Sequence, residues 1–324
     1  MKFIAELCQN HGGKFDNVLR MADAAAASGA THIKLQHIYV KNLTYRSEFE
    51  TGFTSETGQL ESIKRPWKAE YNRLKQLELT DQECRSFVKH VQSLGCIPMT
   101  TCFAKDSIPS LLDQGFRVVK VASYDCASYS LLRELAKSFD ELYISTGATH
   151  SSEVLYAAEL LHSYNIPFSL LHCVTLYPTP LDQMHLNRIS WLKNLVPSVG
   201  FSDHSSVQQD GLVAAKAAVY CGADFVERHF ILDDLCHAKD APVSITPHHL
   251  CELLDFNSLS RDDQLGYLNK YHPSWKDMLG SADRSLTPGE LLNRDYYRGR
   301  FASPIKSGAF RRSEMIFNWE ETPC

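Results

Sequence analysis

Two histidines in this chain stand where apolar, strand-like runs turn polar. Residues 199–205 read V-G-F-S-D-H-S and end in Ser202, Asp203, His204 and Ser205. Residues 224–231 read D-F-V-E-R-H-F-I and deliver Glu227 and His229. Two imidazoles at strand ends suit a divalent metal that keeps positions open for substrate or water. Either histidine alone is more often a hydrogen-bonded structural residue. The other strand-like runs end in Glu6, in Lys34 and Gln36, in Thr101, in Lys120, Ser123 and Asp125, and in Ser145 and Thr146. His172 closes another, with Thr175 and Tyr177 just beyond. Lysines and small hydroxyls around one cavity suit an anion such as phosphate or carboxylate. Each has a plainer reading. Lys34 and Lys120 could snorkel to the surface. His172, behind two leucines, reads as a satisfied core histidine, and His248 and His249 at a helix start read as solvated.

These residues need strands to aim them. Strands are predicted at 2–8, 31–36, 97–102, 118–123, 142–146, 168–173, 198–202 and 225–230. Helical patterns fall at 16–28, 80–94, 107–113, 130–138, 152–164, 186–195, 208–220 and from about 247. Asp16 is the predicted N-cap of the first. Thr80 with Glu83 reads as a capping box. Residues 37–79 read as a long polar loop, of the kind that is usually functional or mobile. Alternating strands and helices demand a parallel sheet, and eight units predict an α/β (β/α)8 TIM barrel. A doubly wound open sheet is the alternative. The polar residues then recur at the C-terminal strand ends, where such a barrel carries its chemistry.

The pattern breaks beyond about Leu268. Residues 1–268 are therefore expected to form the catalytic barrel, and residues 269–324 a short C-terminal extension. Residues 272–273 and 286–289 read as turn signals. The extension carries Arg294, Arg298, Arg300, Arg311 and Arg312, with Tyr296, Tyr297, Phe301, Phe310 and Trp319. Aromatic side chains gain stability when buried. The tail is expected to pack on a barrel, its own or a dimer partner's.

Composition narrows the function. Among 324 residues, 33 basic and 38 acidic side chains give a net charge of −5. That disfavours a general nucleic-acid binder but leaves room for a local anion pocket. No apolar run approaches the roughly 18 residues of a membrane span. The first residues turn acidic at Glu6, too soon for a signal peptide. The ten cysteines form no C-x-x-C, so a zinc ribbon is not expected. A reducing cytoplasm is the expected location.

The ordered motifs also carry a family resemblance. They are A-E-L-C-Q-N-H-G-G at 5–13, K-L-Q at 34–36, T-C-F at 101–103, K-V-A-S at 120–123 and S-T-G at 145–147. L-H-C-V-T-L-Y-P-T-P at 171–180, G-F-S-D-H-S at 200–205, E-R-H-F at 227–230 and Asp240 complete the series. Over three quarters of its length the chain resembles the sialic acid synthases. The resemblance implies condensation of phosphoenolpyruvate with an open-chain six-carbon aldose, release of phosphate, a Mn²⁺ or Mg²⁺ ion, and a homodimer. It implies that His204 and His229 bind the metal. Lys34, Thr101, Lys120, Ser123, Ser145 and Ser202 would hold phosphoenolpyruvate, and Gln36, Tyr177 and Asp240 the sugar. Phe103 and Thr175 would join the substrate site, and Glu6 would handle protons. Asp125 stands near the position of a family glutamate, in S-Y-D rather than S-G-E, and is counted with the catalytic set. Thr175 replaces an asparagine. The family's C-terminal antifreeze-like domain is expected to be missing, although residues 300–308 resemble its opening. These departures leave the acceptor sugar open. Another phosphoenolpyruvate-dependent aldol synthase, or an inactive sugar-binding protein, are the alternatives.

Overall fold

Eight parallel strands close into a barrel. They are β1 (Lys2–Cys8), β2 (His32–Leu35), β3 (Ile97–Thr101), β4 (Val118–Val121), β5 (Glu141–Ser145), β6 (Phe168–Cys173), β7 (Val199–Asp203) and β8 (Phe225–Phe230). Each pairs with the next, and β1 pairs with β8 from Lys2↔Phe225 to Glu6↔His229. That last ladder makes the sheet a closed barrel rather than a doubly wound sheet. A two-residue strand, Ser244–Ile245, extends the edge of β8. The structure is a computed structural model and describes residues 1–58, 60–235, 237–305 and 315–321.

The helices are α1 (Phe15–Ala27), α2 (Asp81–Ser93), α3 (Ile108–Asp113), α4 (Tyr129–Ser138), α5 (Ser151–Ser163), α6 (Asn187–Lys193), α7 (Val213–Tyr220) and α8 (Pro247–Ser258). Their apolar faces cover the outside of the strands. In α2, Cys84, Phe87, Val88 and Val91 are buried, the i, i+3, i+4, i+7 stripe of a helix on a sheet. The capping box of Thr80 and Glu83 forms as the sequence implies. Asp16 does not cap α1. The helix starts one residue earlier, after Lys14, and Asp16 lies in the first turn, where a carboxylate favours the helix dipole. The single helix predicted at 208–220 is broken at Gly211, whose φ is +58°, into 207–210 and α7.

Inside the barrel the layers differ. Ile4, Met99, Tyr143, Leu171 and Phe225 form a separate apolar cluster. Gly200 makes room for it: a Cβ there would lie 2.2 Å from the Phe225 ring. Two residues further along β1, β3, β4 and β5, on the same side of each strand, stand Glu6, Thr101, Lys120 and Ser145. The strands change from apolar to polar inside a buried setting, so function rather than packing explains the change.

Two segments are more ordered than their sequences suggest. The 37–79 segment holds short helices at Glu48–Thr51 and Trp67–Lys75 and a small hairpin between them. After α8 come α9 (Arg261–Tyr271) and α10 (Pro288–Tyr297). The 286–289 turn signal is instead the start of α10: Thr287 and Glu290 form a capping box with Pro288 in the first turn. The two segments pack together. Ile38, Val40, Leu43, Leu74 and Phe301 share one buried cluster, and Phe49 meets Tyr296 edge-on at 5.0 Å. Arg294 pairs with Glu153 at 2.6 Å, and Asn318 Nδ2 donates to the Phe103 carbonyl at 2.9 Å. The tail thus packs on its own barrel. Phe310, Arg311 and Arg312 lie outside the described residues.

Candidate active site

Strand register brings a ring of buried charge together. Glu6 is opposite Lys34, and the two form an ion pair. Glu6 Oε1 also accepts from Cys8 N at 2.6 Å. Ser202 is opposite Glu227 and donates to its Oε1 at 2.8 Å. Lys120 pairs with the same oxygen, while Lys34 lies 3.8 Å from Oε2. Lys34 Nζ also donates to Thr101 Oγ1 at 3.3 Å. Burial pushes the Lys34 ammonium down to about 7, against the attraction of Glu227. Burial alone would raise the Glu227 carboxyl, but Lys120 and Lys34 hold it below the ordinary carboxylate range. Ser145 Oγ is buried and has no hydrogen-bond partner among the described residues. It is a donor left over for a ligand.

The histidines stand beside this cluster, His229 opposite Glu6 in the β1–β8 ladder. Their rings meet edge-to-face with centroids 5.4 Å apart. Burial lowers both, His229 to about 4 and His204 well below the usual imidazole range. Both are therefore neutral at pH 7, the form that binds metal. His204 Nδ1 lies 3.7 Å from Cys173 Sγ, and the Tyr177 ring lies 4.2 Å from its own. His229 Nδ1 has no hydrogen-bond partner among the described residues and faces Asp240 Oδ2 at 3.9 Å. The loop that carries His204 is anchored from behind. Arg228, fully buried, pairs with Asp203 and donates to Ser205 Oγ at 2.8 Å. The alternation along β7 and β8 puts this pair on the opposite face from Ser202 and Glu227.

The charge cluster and both histidines line one cavity of about 370 Å³ at the C-terminal mouth of the barrel. Six cationic side chains line it against four acidic ones: Lys34, Arg65, Arg73, Lys120, Lys239 and Arg300 against Glu6, Asp125, Glu227 and Asp240. A cationic excess inside a chain of net charge −5 marks the cavity for an anion. The tail closes one side. Tyr297 stacks on Tyr124 at 4.9 Å, and Arg300 pairs with Glu70. Burial raises the Glu70 carboxyl, yet Arg73 and Arg300 hold it at about 2.

The NeuB family model matches residues 21–261. The chain belongs to the NeuB family. It is 29% identical over 317 residues to pseudaminic acid synthase of Campylobacter jejuni, covering 97% of this chain and 85% of that protein. It is 27% identical over 251 residues to N,N'-diacetyllegionaminic acid synthase of the same species, covering 76% and 72%. The crystal structure of N-acetylneuraminic acid (sialic acid) synthetase from Leptospira borgpetersenii in complex with citrate superposes with a TM-score of 0.64. It shares 27% identity and covers 91% of this chain and 90% of that one. These NeuB relatives differ in the acid sugar they are named for.

Within this NeuB barrel, every residue expected to bind metal or substrate or to take part in catalysis lines the cavity except Thr175. Glu6, Lys34, Gln36, Thr101, Phe103, Lys120, Ser123, Asp125, Ser145, Tyr177, Ser202, His204, His229 and Asp240 all face it. Thr175 lies behind the wall: it is fully buried, its methyl packs close to Gly147, and its carbonyl accepts from Asn293 at 2.7 Å. His172 is a core histidine, buried with Nε2 2.6 Å from the Met184 carbonyl oxygen. His248 is exposed, but His249 is not simply solvated, since its Nδ1 meets the Thr246 hydroxyl at 3.0 Å. Sequence reasoning missed Cys8, Arg65, Arg73, Tyr124 and Lys239, and gave Glu227 no role. Cys8 was legible, because it follows Glu6 by two on the same strand. Arg65 and Arg73 had no such signal, since they come from the 37–79 segment, whose sequence reads as a polar loop although Arg73 stands on the Trp67–Lys75 helix.

Proposed function

We propose that this chain is a nonulosonic acid synthase that condenses phosphoenolpyruvate with the open-chain form of a hexosamine or related six-carbon aldose. The observation that carries this is one cavity joining the Lys34–Glu227–Lys120 cluster to His204 and His229. The two ammonium groups are held together by Glu227. The hydroxyls of Thr101, Ser123, Ser145 and Ser202 surround them, a setting for the phosphate and carboxylate of phosphoenolpyruvate. Gln36, Tyr177 and Asp240, with Asn293, Tyr297 and Arg300 of the tail, face the remaining volume. These polar and aromatic groups suit a sugar.

The donor set fits a divalent ion. His229 Nδ1 is buried with no hydrogen-bond partner among the described residues, burial keeps both imidazoles neutral, and a carboxylate stands beside them. His204 and His229 would hold Mn²⁺ or Mg²⁺, which when bound supplies Lewis-acid polarisation of the sugar carbonyl. In the reaction, the enol carbon of phosphoenolpyruvate bonds to the aldehyde carbon. Water adds to the neighbouring carbon, whose bond to the phosphate oxygen then breaks. Lys34 and Lys120 stabilise the charge that grows on phosphate and carboxylate. Glu6, held by Lys34 and the Cys8 amide, is placed to take the proton of the entering water. Asp125 lines the same cavity and is counted with the catalytic set; its Oδ1 accepts from Ser128 and Asn318.

In this reading, residues 1–268 are the catalytic barrel and residues 269–324 an extension that completes the mouth. The chain works as a cytoplasmic homodimer; light scattering after gel filtration tests the dimer. No helix among the described residues is long and apolar enough to cross a membrane. The main test is phosphate release from phosphoenolpyruvate with Mn²⁺ and a panel of hexosamines, products being read by mass spectrometry. Release should require one of the aldoses and yield a sugar acid three carbons longer. Aldose binding without phosphate release across the panel would make the chain a binding protein instead.

A further inference from the structure

Strand β1 ends on a cysteine with a backbone better suited to glycine. Cys8 has a φ of +47°, in the left-handed region that a residue with a Cβ adopts only under strain. The β1–β2 register slips at the same point, between Glu6 and Cys8. The thiol that results is not packed among apolar side chains, where a free cysteine is usually inert. It faces the charged cavity, and its Sγ donates to Asp240 Oδ2 at 2.8 Å. The same carboxylate oxygen lies 3.9 Å from His229 Nδ1. His229 is only 6% exposed, and Nδ1 has no hydrogen-bond partner among the described residues. The three donor atoms of Cys8, His229 and Asp240 all lie within 4.8 Å of one another.

We propose that Cys8 is a ligand of the metal centre, so that a thiolate and the Asp240 carboxylate join the imidazoles there. This deepens the metal reading above and rests on it. Metal–ligand distances of about 2.0–2.3 Å in a tetrahedral shell place ligand atoms roughly 3–4 Å apart, close to the separations around Asp240. The strained turn then has a reason, since it aims the sulfur at the space His229 Nδ1 faces. As the sulfur–metal bond forms, the thiol proton leaves to water. His204 stands beside this trio, not within it, with its ring 5.4 Å from that of His229. Asp240 is then a metal ligand before it is a sugar contact. A thiolate also changes which ion the centre favours. Sulfur ligands suit zinc-like ions, and Mg²⁺ prefers oxygen. The centre should bind Zn²⁺ and Co²⁺ far more tightly than Mg²⁺.

Cobalt substitution tests this without using activity. The full chain is stripped with a chelator, and Co²⁺ is titrated while the near-ultraviolet thiolate-to-cobalt charge-transfer band is followed. The wild type should develop the band with one equivalent of Co²⁺. Zn²⁺ should displace the cobalt, and excess Mg²⁺ should not. Cys8→Ser should lose the band and bind Co²⁺ at least about tenfold more weakly, with unchanged circular dichroism. Cys173→Ser, which alters the thiol beside His204, should keep the band. Co²⁺ binding without a band, at equal affinity in wild type and Cys8→Ser, would overturn the role of Cys8 and leave the histidine reading standing. A band lost only in Cys173→Ser would also overturn it. Failure of the wild type to bind Co²⁺ at all would overturn both readings.

Discussion

At the scale of single residues, the buried charges decide what a substitution will do. Lys120 pairs with Glu227, whose side chain is almost fully buried. Removing one partner of a buried pair costs up to about 3–5 kcal/mol, and less here because Lys34 still lies 3.8 Å from Glu227. Lys120→Ala should therefore lose stability in a urea melt as well as substrate affinity. The loss of one charge-assisted contact, about 1.5–3 kcal/mol, should raise the phosphoenolpyruvate KM roughly tenfold or more. Adding Glu227→Gln should restore much of the stability but not the KM. A single variant as stable as wild type would remove the pair from this account. Asp125 titrates in the opposite sense. Burial raises its carboxyl from 3.8 to about 6, against hydrogen bonds from Ser128 and Asn318 and the charge of Arg298. Between those values the folded chain holds a proton that the unfolded chain has released, so this group's contribution to stability falls as pH rises. The full cost, about 3 kcal/mol at most, is present above pH 6. Both hydrogen bonds use Oδ1, which asparagine keeps. Asp125→Asn should melt higher than wild type at pH 7.5, and the gain should shrink as pH falls toward 4. An equal gain at both ends would mean the carboxyl is not perturbed. A fall in kcat in the same variant would mark the carboxylate as catalytic.

At the scale of elements, the barrel strands carry the anion cluster and the tail carries one wall. Helix α10 is tied down by Arg294 on Glu153 and by the Arg284–Glu290 pair, whose side chains are 4% and 0% exposed. Asn293, Tyr297 and Arg300 then face the cavity. Truncation after Gly280 should leave the barrel's circular dichroism largely intact and raise the aldose KM steeply while phosphoenolpyruvate binding is kept. Tyr297→Ala, a milder change, should move the aldose KM in the same direction. Full kcat and an unchanged aldose KM in the truncated, folded protein would reduce the tail to a surface cover.

At the scale of the whole molecule, an ion held by the histidines would be coupled to the fold. A ligand that binds only the folded state adds stability by mass action, about 2.7 kcal/mol at a hundred times its Kd. Mn²⁺ should therefore raise the melting temperature of the metal-free wild type. His204→Ala/His229→Ala should fold and show no such rise. An equal rise in the double variant would place the ion elsewhere. The barrel explains why the site is shared so widely around the ring. Closure of β1 on β8 puts Glu6 beside His229, residues more than two hundred positions apart in sequence.

The sequence by itself determined the barrel and most of its mouth. Buried parallel strands must be apolar, so a lysine, hydroxyl or histidine at the same phase of each repeat stands out against that background. The strand pattern, the Thr80 capping box and the apolar setting of His172 rest on such local rules. Four features were decided only by tertiary structure. Glu227 bridges two lysines because β2, β4 and β8 point Lys34, Lys120 and Glu227 into the same barrel interior, and no local signal carries that. Arg65 and Arg73 reach the cavity from the 37–79 segment, whose sequence reads as a polar loop although Arg73 stands on a short helix. Thr175 turns behind the wall because Asn293, far along the chain, holds its carbonyl. The trio of Cys8, His229 and Asp240 depends on a left-handed turn and a register slip at one residue. Backbone conformation at a single position is set by what surrounds it, and those surroundings exist only once the barrel has closed.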